Sequence, residues 1–230
     1  MTTSRTAPTG TAASSALPVV AAIGGWVVLL VITAGRIRDE MAATLFRDEA
    51  IAWTYADLPI RDIPEALGWD VNPPVYFLTL HAWLSGGTGD TYLRGLSVLA
   101  MLAAAAVSFD AARRLGGARA GWLASAFVLL APGSLALAGL ARPYAIAFLL
   151  GTIALDAAIA LVKNGRWPAL AVFSVSGALL PLTHYWGGLL LAALLGALAV
   201  TALRTDSRWI LTRTMIATGN VLIVFLPWAP

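Results

Sequence analysis

Residues 38–91 read RDEMAATLFRDEAIAWTYADLPIRDIPEALGWDVNPPVYFLTLHAWLSGGTGDT, an acidic and aromatic stretch inside a chain that is otherwise strongly apolar. Of the twelve acidic residues in the chain, nine lie in this stretch: Asp39, Glu40, Asp48, Glu49, Asp57, Asp62, Glu65, Asp70 and Asp90. The others are Asp110, Asp156 and Asp206. Charge that is kept out of apolar segments and gathered into one loop marks a solvated region or a functional site. We interpret this stretch as a site.

The rest of the chain has the composition of an integral membrane protein. Its hydrophobic fraction is 59%, its charged fraction is 12% and its mean hydropathy is +0.80, whereas soluble domains have about 25% charged residues. The absence of cysteine excludes disulfides and thiolate sites. Two distant histidines, His81 and His184, do not suit a zinc site of the usual kind. The pI of 9.7 does not indicate nucleic acid binding, because the basic residues lie at the ends of apolar runs, where they anchor membrane proteins.

The apolar runs predict an all-α polytopic membrane protein with about seven transmembrane helices and a large external first loop that carries a juxtamembrane helix. The expected spans are 17–37, 92–112, 120–140, 143–162, two spans within 167–203 separated by a turn at 183–188, and 209–228. Residues 1–16 are rich in Thr, Ser, Ala, Gly and Pro, so we expect a disordered cytoplasmic tail before a transmembrane domain at 17–230. Residues 73–85 would measure about 20 Å as a helix, which is short for a crossing of about 30 Å. A helix at the membrane surface is therefore expected there.

Three connections hold most of the basic residues. They contain, in order, Arg113, Arg114 and Arg119; Lys163 and Arg166; and Arg204, Arg208 and Arg213. Since they alternate with connections poor in basic residues, the positive-inside rule places all three in the cytoplasm and Arg142 and His184 on the external side. For the loop 38–91, two alternatives stay open. Arg36 and Arg38 directly after the first span favour a cytoplasmic loop, whereas the shortness of 73–85 favours an external loop and a cytoplasmic N-terminus.

Four short motifs support a resemblance to a known family. They are Arg47-Asp48-Glu49-Ala50 after the first span, Asn72-Pro73-Pro74-Val75-Tyr76-Phe77 before the surface helix, Ala141-Arg142-Pro143-Tyr144-Ala145 in one external turn, and Thr183-His184-Tyr185-Trp186-Gly187 in the next. In this order and spacing they resemble the GT-C membrane glycosyltransferases, in particular the branch of protein mannosyltransferases and bacterial lipid A aminoarabinose transferases. The resemblance extends from about residue 18 to the end of the chain.

This resemblance implies a multi-pass enzyme of the plasma membrane that transfers a sugar from a polyprenyl-phosphate carrier to a lipid, glycan or protein acceptor at the outer face. Asp48 matches the first-loop aspartate of the family, whose usual role is to deprotonate the acceptor hydroxyl. Two departures are visible: Asn72 stands where many members have His, and Leu140 stands where many have an acidic residue. The second departure leaves Asp48 and Glu49 to supply the acid/base chemistry. Members usually continue with further spans and a soluble domain, so a C-terminally truncated chain is expected.

The residue types fit this chemistry. A carboxylate beside the reacting centre can accept a proton, which contributes roughly 10²–10⁴-fold to the rate, and Asp48 and Glu49 are the predicted catalytic residues. The guanidinium fork of an arginine suits phosphate oxygens. The predicted substrate-binding residues are Arg142, Tyr144, His184, Asn72 and Tyr76. No residue is assigned as a metal ligand. Loop carboxylates are nevertheless of the type that binds a divalent cation, and some members of the family use one.

Plainer interpretations accompany these predictions. Acids favour helix N-termini, arginines snorkel at membrane interfaces, and His184 with its aromatic neighbours suits an interfacial belt. His81 is expected to be structural. The further loop acids Asp57, Asp62, Glu65 and Asp70 are expected to be solvated. Within the spans, we expect Asp110 to pair with Arg113 and Arg114, and Asp156 to lie in helix packing with Lys163 snorkelling nearby.

Two other functions are alternatives for the same sequence. One is a truncated, non-catalytic relative that binds the lipid carrier. The other is a small transporter, which would need polar residues along several spans; such residues are nearly absent here.

Overall fold

The computed structural model describes residues 13–70 and 72–228, and this part of the chain is helical, without strands. The helices are α1 (Ala13–Ala42), α2 (Arg47–Ala56), α3 (Ile63–Asp70), α4 (Pro74–Leu84), α5 (Asp90–Leu130), α6 (Pro132–Ala138), α7 (Tyr144–Asn164), α8 (Trp167–Thr183), α9 (Gly187–Arg204) and α10 (Arg208–Phe225). A short 3-10 turn, Leu226–Trp228, follows α10. The predicted all-α class is confirmed. The predicted tail lies outside the described residues up to residue 12, and residues 13–16 begin α1.

Helix α5 folds back on itself. Gly116 and Gly117 leave helical geometry, and Gly117 has a φ of 77°, which glycine adopts without steric cost. The Ser125 hydroxyl donates to the Ala105 carbonyl at 2.8 Å, although twenty residues of straight helix would separate them by about 30 Å. The two halves are therefore an antiparallel hairpin.

Among the residues that the structure describes, four helices are long and apolar enough to cross a membrane: α5, α7, α9 and the segment Arg208–Trp228. Helix α8 is apolar but shorter, at 17 residues. Large apolar side chains such as Phe127, Leu203 and Ile223 are more than 70% exposed on these helices, as side chains that face lipid would be. The protein is thus a helical membrane protein, and the number of seven crossings stays a prediction.

Two predicted boundaries can be compared with the helices. The expected span 120–140 is interrupted, because Ala131 is extended (φ −64°, ψ 131°) and Pro132 begins α6. The correction has a simple cause, since a proline disfavours helical geometry in the residue before it. The turn predicted at 183–188 is confirmed, because α8 ends at Thr183 and α9 begins at Gly187.

The acidic stretch folds into three short helices, α2, α3 and α4, where the sequence predicted a loop with a single helix. Helix α4 has 11 residues, or about 16 Å, which is half of a membrane crossing. Its residues Tyr76, Phe77 and Leu80 are fully buried or nearly so. It packs against α2, α3, α5 and α8, so it is part of the core, and its place at the membrane surface stays a prediction.

The basic connections meet at one end of the bundle. Arg114 pairs with Asp156 at 2.8 Å, Lys163 donates to the Arg114 carbonyl, and the Arg213 guanidinium lies 5.1 Å and 4.9 Å from the Trp167 and Trp209 rings. Helix α7 begins about 30 Å away from this end. Arg142 and the first residues of α7 therefore lie at the opposite end of the bundle.

The predictions for Asp110 and Asp156 can be checked at the basic end. The pairing of Asp110 with Arg113 and Arg114 is confirmed. Asp156, expected in helix packing with Lys163 snorkelling nearby, lies against the neighbouring helix and pairs with Arg114. Lys163 lies two turns further along the same helix, about 10 Å up the axis, while Arg114 approaches Asp156 from the neighbouring helix.

Candidate functional site

The site begins at the N-terminus of α2, where Asp48 and Glu49 occupy the first turn and the helix dipole favours carboxylates. Glu49 reaches back and accepts the Phe46 N–H at 2.8 Å, as an acid at the third helical position does in a capping box. Neighbouring residues of a helix point about 100° apart. Glu49 consequently faces the protein interior, while the Asp48 side chain is 54% exposed.

Glu49 forms a buried ion pair with Arg94 of α5. Arg94 donates through Nε to Glu49 Oε1 at 3.0 Å and through Nη2 to Oε2 at 2.7 Å, and the two side chains are only 3% and 1% exposed. The remaining N–H groups of Arg94 donate to the carbonyls of Met41, Ala43 and Thr44. All five guanidinium donors therefore have acceptors, which is what a buried arginine requires.

The same carboxylate binds the turn that precedes α7. The Ala141 N–H donates to Glu49 Oε1 at 2.7 Å, and the Ser97 hydroxyl donates to the Leu140 carbonyl at 2.6 Å. Burial by itself raises the pKa of Glu49, but the hydrogen bonds from Arg94, Ala141 and Phe46 outweigh it, so this pKa lies below its usual value.

Glu49 thus holds structural segments together. Its two oxygens accept four hydrogen bonds, which fills the lone pairs of a carboxylate. The predicted catalytic role of Glu49 stays a prediction, and no lone pair of its carboxylate is free to accept a further proton.

Asp48 lies beside Arg142, which is 94 residues away in the chain. Arg142 Nη1 donates to the Asp48 carbonyl at 3.4 Å, and Arg142 Nη2 lies 3.7 Å from Asp48 Oδ2. The Arg142 side chain is 23% exposed. These long distances and the exposed carboxylate describe a loose pair whose acid and cation are both accessible to a ligand.

Tyr144 and His184 extend this cluster. The Arg142 guanidinium carbon lies 5.8 Å from the centre of the Tyr144 ring, and that ring lies 5.2 Å from the His184 ring. Burial first, and then the positive charge of Arg142, lower the pKa of His184, which favours the neutral imidazole at pH 7. The Trp186 N–H donates to His184 Nδ1 at 3.3 Å, which places the ring proton on Nε2.

Tyr76 lies in the first turn of α4, and Asn72 lies two residues before this helix. Tyr76 is fully buried, and its hydroxyl has no hydrogen-bond partner among the described residues. Burial raises the pKa of Tyr76, and the charges of Arg142 and Glu49 act on it in opposite directions, so the hydroxyl lies within electrostatic range of both. Asn72 lines a cavity of about 170 Å³ together with Tyr185, which follows His184.

Five other acids of this stretch and His81 lie in ordinary surroundings, while the side chains of Asp39 and Asp70, the second of which was expected to be solvated, lie outside what the structure describes. Glu40, Asp57, Glu65 and Asp90 are exposed, and Asp62 forms a surface pair with Arg61 at 3.3 Å. His81 Nδ1 donates to the Ala56 carbonyl at 2.8 Å, as expected for a structural histidine. Within the part of the chain that the structure describes, no group of three or more acids or histidines is arranged to hold a metal ion.

Arg94 is the residue that sequence reasoning missed. It lies two residues inside the predicted span 92–112, and a charged side chain in an apolar span is itself a signal of a partner or a function. Asp90, one turn earlier, offered a plain explanation for this charge. The actual partner, Glu49, is 45 residues away.

Four of the seven predicted site residues therefore form one continuous cluster, Asp48–Arg142–Tyr144–His184. An exposed carboxylate, a cation and a neutral imidazole at one end of a membrane bundle can bind an anionic headgroup and accept a proton. Comparisons of the chain with protein-family models, with curated proteins and with solved structures give no match.

Proposed function

We propose that the protein is a membrane glycosyltransferase that transfers a sugar from a polyprenyl-phosphate carrier to an acceptor hydroxyl. The observation that supports this proposal most is the contact between Asp48 and Arg142. It joins two of the four motifs that resemble the GT-C family. Transfer from a sugar phosphate requires a base and a phosphate-binding cation in one site.

In the proposed reaction the acceptor oxygen attacks the anomeric carbon as the bond from that carbon to the phosphate oxygen breaks. The acceptor proton passes to the Asp48 carboxylate, and the departing phosphate keeps the electron pair, next to Arg142 and the Nε2–H of His184. Tyr144 fills the space between these two groups. Inversion of the anomeric centre requires the acceptor oxygen and the departing phosphate to lie on opposite faces of the sugar, so the bound substrate would enter between the Asp48 carboxylate and Arg142 Nη2, which lie 3.7 Å apart here.

The proposal includes an orientation in the plasma membrane. Seven crossings, with the N-terminus in the cytoplasm, would place the Asp48–Arg142 cluster at the outer face. The basic residues around Arg114, Lys163 and Arg213 gather at the other end of the bundle, which supports this orientation through the positive-inside rule.

The test is consumption of lipid-linked sugar by the purified protein in nanodiscs, with a panel of polyprenyl-phosphate sugars. Asp48→Asn keeps the size of the side chain and removes its basicity, so turnover should fall by roughly 10²–10⁴-fold. Asp57→Asn is the matched control, because Asp57 is an exposed carboxylate that follows the other end of α2; this variant should retain wild-type turnover.

Two outcomes would contradict the proposal. Equal turnover by Asp48→Asn and the wild type would remove the base from the mechanism. Binding of the lipid carrier without turnover by the wild type would favour a non-catalytic carrier-binding protein instead.

A further inference from the structure

One carboxylate, that of Glu49, joins the two backbone segments that carry Asp48 and Arg142. Asp48 directly precedes Glu49 in α2. Arg142 directly follows Ala141, whose N–H donates to Glu49 Oε1 at 2.7 Å. The separation of Asp48 from Arg142 therefore depends on the position of the Glu49 carboxylate.

Arg94 fixes that carboxylate in place. Its fork binds both oxygens of Glu49. Its other donors bind the Met41 carbonyl in the last turn of α1 and the Ala43 and Thr44 carbonyls in the connection to α2. The Ser97 hydroxyl, one turn further along α5, donates to the Leu140 carbonyl, which belongs to the same peptide group as the Ala141 N–H. One face of α5 thus holds both segments of the candidate site.

We propose that Glu49 and Arg94 are positioning residues that set the separation of the Asp48 carboxylate from the Arg142 guanidinium. The catalytic consequence rests on the proposed function, whereas the geometric part does not. A displacement of about 1 Å between reacting groups can cost roughly 10²-fold in rate. The Glu49–Arg94 ion pair accordingly affects the catalytic rate through this separation, in addition to any contribution to stability.

Glu49→Asp tests this proposal with a minimal change. It keeps the negative charge and shortens the side chain by one C–C bond, about 1.5 Å. The shorter carboxylate cannot reach Arg94, Phe46 and Ala141 together from the same backbone position. Glu65→Asp is the matched control, because Glu65 is an exposed glutamate of α3 that undergoes the same chemical change.

Hydrogen exchange measured by mass spectrometry on the full chain in nanodiscs gives a readout that needs no activity. In Glu49→Asp, exchange should rise at least about tenfold in peptides that contain the amides of Phe46 and Ala141, since both donate to Glu49. Peptides from α7 and α8 should be unchanged, and Glu65→Asp should match the wild type throughout.

Kinetics supply the second readout. We expect kcat of Glu49→Asp to fall by roughly 10²-fold, with a much smaller change in the KM for the lipid-linked sugar, because the Arg142 side chain itself is intact. Arg94→Lys leaves three donors for five acceptors, so hydrogen exchange should rise in the same two peptides, those that contain Phe46 and Ala141. This variant replaces Glu49→Asp in the test if Glu49→Asp does not fold.

Two results would overturn the proposal. One is exchange at Phe46 and Ala141 that stays at the wild-type level. The other is a rise of exchange that is uniform across all helices, which would make the pair a purely stabilising contact. If the wild type shows no turnover, the proposed function fails, and the exchange pattern still decides the geometric part.

Discussion

Replacing Arg94 with glutamine should destabilise the protein strongly. The substitution removes both guanidinium bonds to Glu49, and the buried carboxylate keeps only the N–H groups of Phe46 and Ala141. Removal of one partner of a buried ion pair costs about 3–5 kcal/mol. The freed carbonyls of Ala43 and Thr44 belong to exposed residues and that of Met41 to a half-buried one, so the range of about 3–5 kcal/mol includes no further cost for them.

The penalty should depend on pH in a defined direction. In the wild type, the pKa of Glu49 lies below its usual value of 4.5, so the stabilisation by Glu49 is complete above 4.5 and is lost as the pH falls through the lower folded value. In Arg94→Gln, burial remains without the guanidinium, so the folded pKa should rise above 4.5. The penalty is then largest above that raised pKa, and it decreases when protonation neutralises Glu49. The difference between variant and wild type should therefore be larger at pH 7.5 than at pH 5.

Thermal unfolding in detergent micelles, followed by tryptophan fluorescence, measures this difference. A loss of 3–5 kcal/mol corresponds to a Tm lower by roughly 6–20 °C for a domain of this size. Arg113→Gln is the matched control, because the Arg113 side chain is 50% exposed and Asp110 keeps Arg114 as a partner; its penalty should stay below about 1 kcal/mol. The reasoning would be refuted if Arg94→Gln lost no more stability than Arg113→Gln, or if its loss of stability did not change with pH.

Two further predictions concern the turn between α8 and α9. The pKa of His184 is lowered, by burial first and by Arg142 second, so the unfolded chain binds more protons than the folded protein. Stability should thus decline as the pH falls through about 6.5, and His184→Gln should remove this part of a Tm-against-pH profile; an unchanged profile would contradict it. A Cβ at Gly187 would lie 2.7 Å from Leu180 Cγ and 2.8 Å from its carbonyl oxygen, so Gly187→Ala should cost about 1–3 kcal/mol in thermal unfolding. Gly196→Ala in α9 has open space around its Cβ and should cost nothing; equal Tm values for the two variants would count against the steric argument.

The helices follow largely from local sequence. The turn at Thr183–Gly187 is visible as a polar interruption in an apolar run, and the end of the hairpin in α5 is visible as Gly116-Gly117 among arginines. The break at Pro132 does not show in the hydropathy pattern, because the apolar composition continues on both sides of it. Proline acts on backbone geometry, which a hydropathy count does not register.

The candidate site is predictable only in part. Motif resemblance singled out Asp48, Arg142, Tyr144 and His184, and the tertiary structure brings them together. The motif resemblance did not distinguish the roles of Asp48 and Glu49, because both are acids in the same helical turn. Their difference arises from what each one faces: Glu49 points to Arg94 and the Ala141 N–H, and Asp48 points outward.

The sequence by itself determined that this is a helical membrane protein with its acids gathered in one region, since hydropathy and charge are properties of composition and of short segments. The tertiary structure alone decided which of those acids is buried and which is open, that Arg94 is the buried partner, and that Arg142 reaches Asp48. The physical reason is that these contacts join residues 45 to 94 positions apart. They depend on how α2 and α5 pack beside the start of α7, and neither hydropathy nor local spacing encodes that packing.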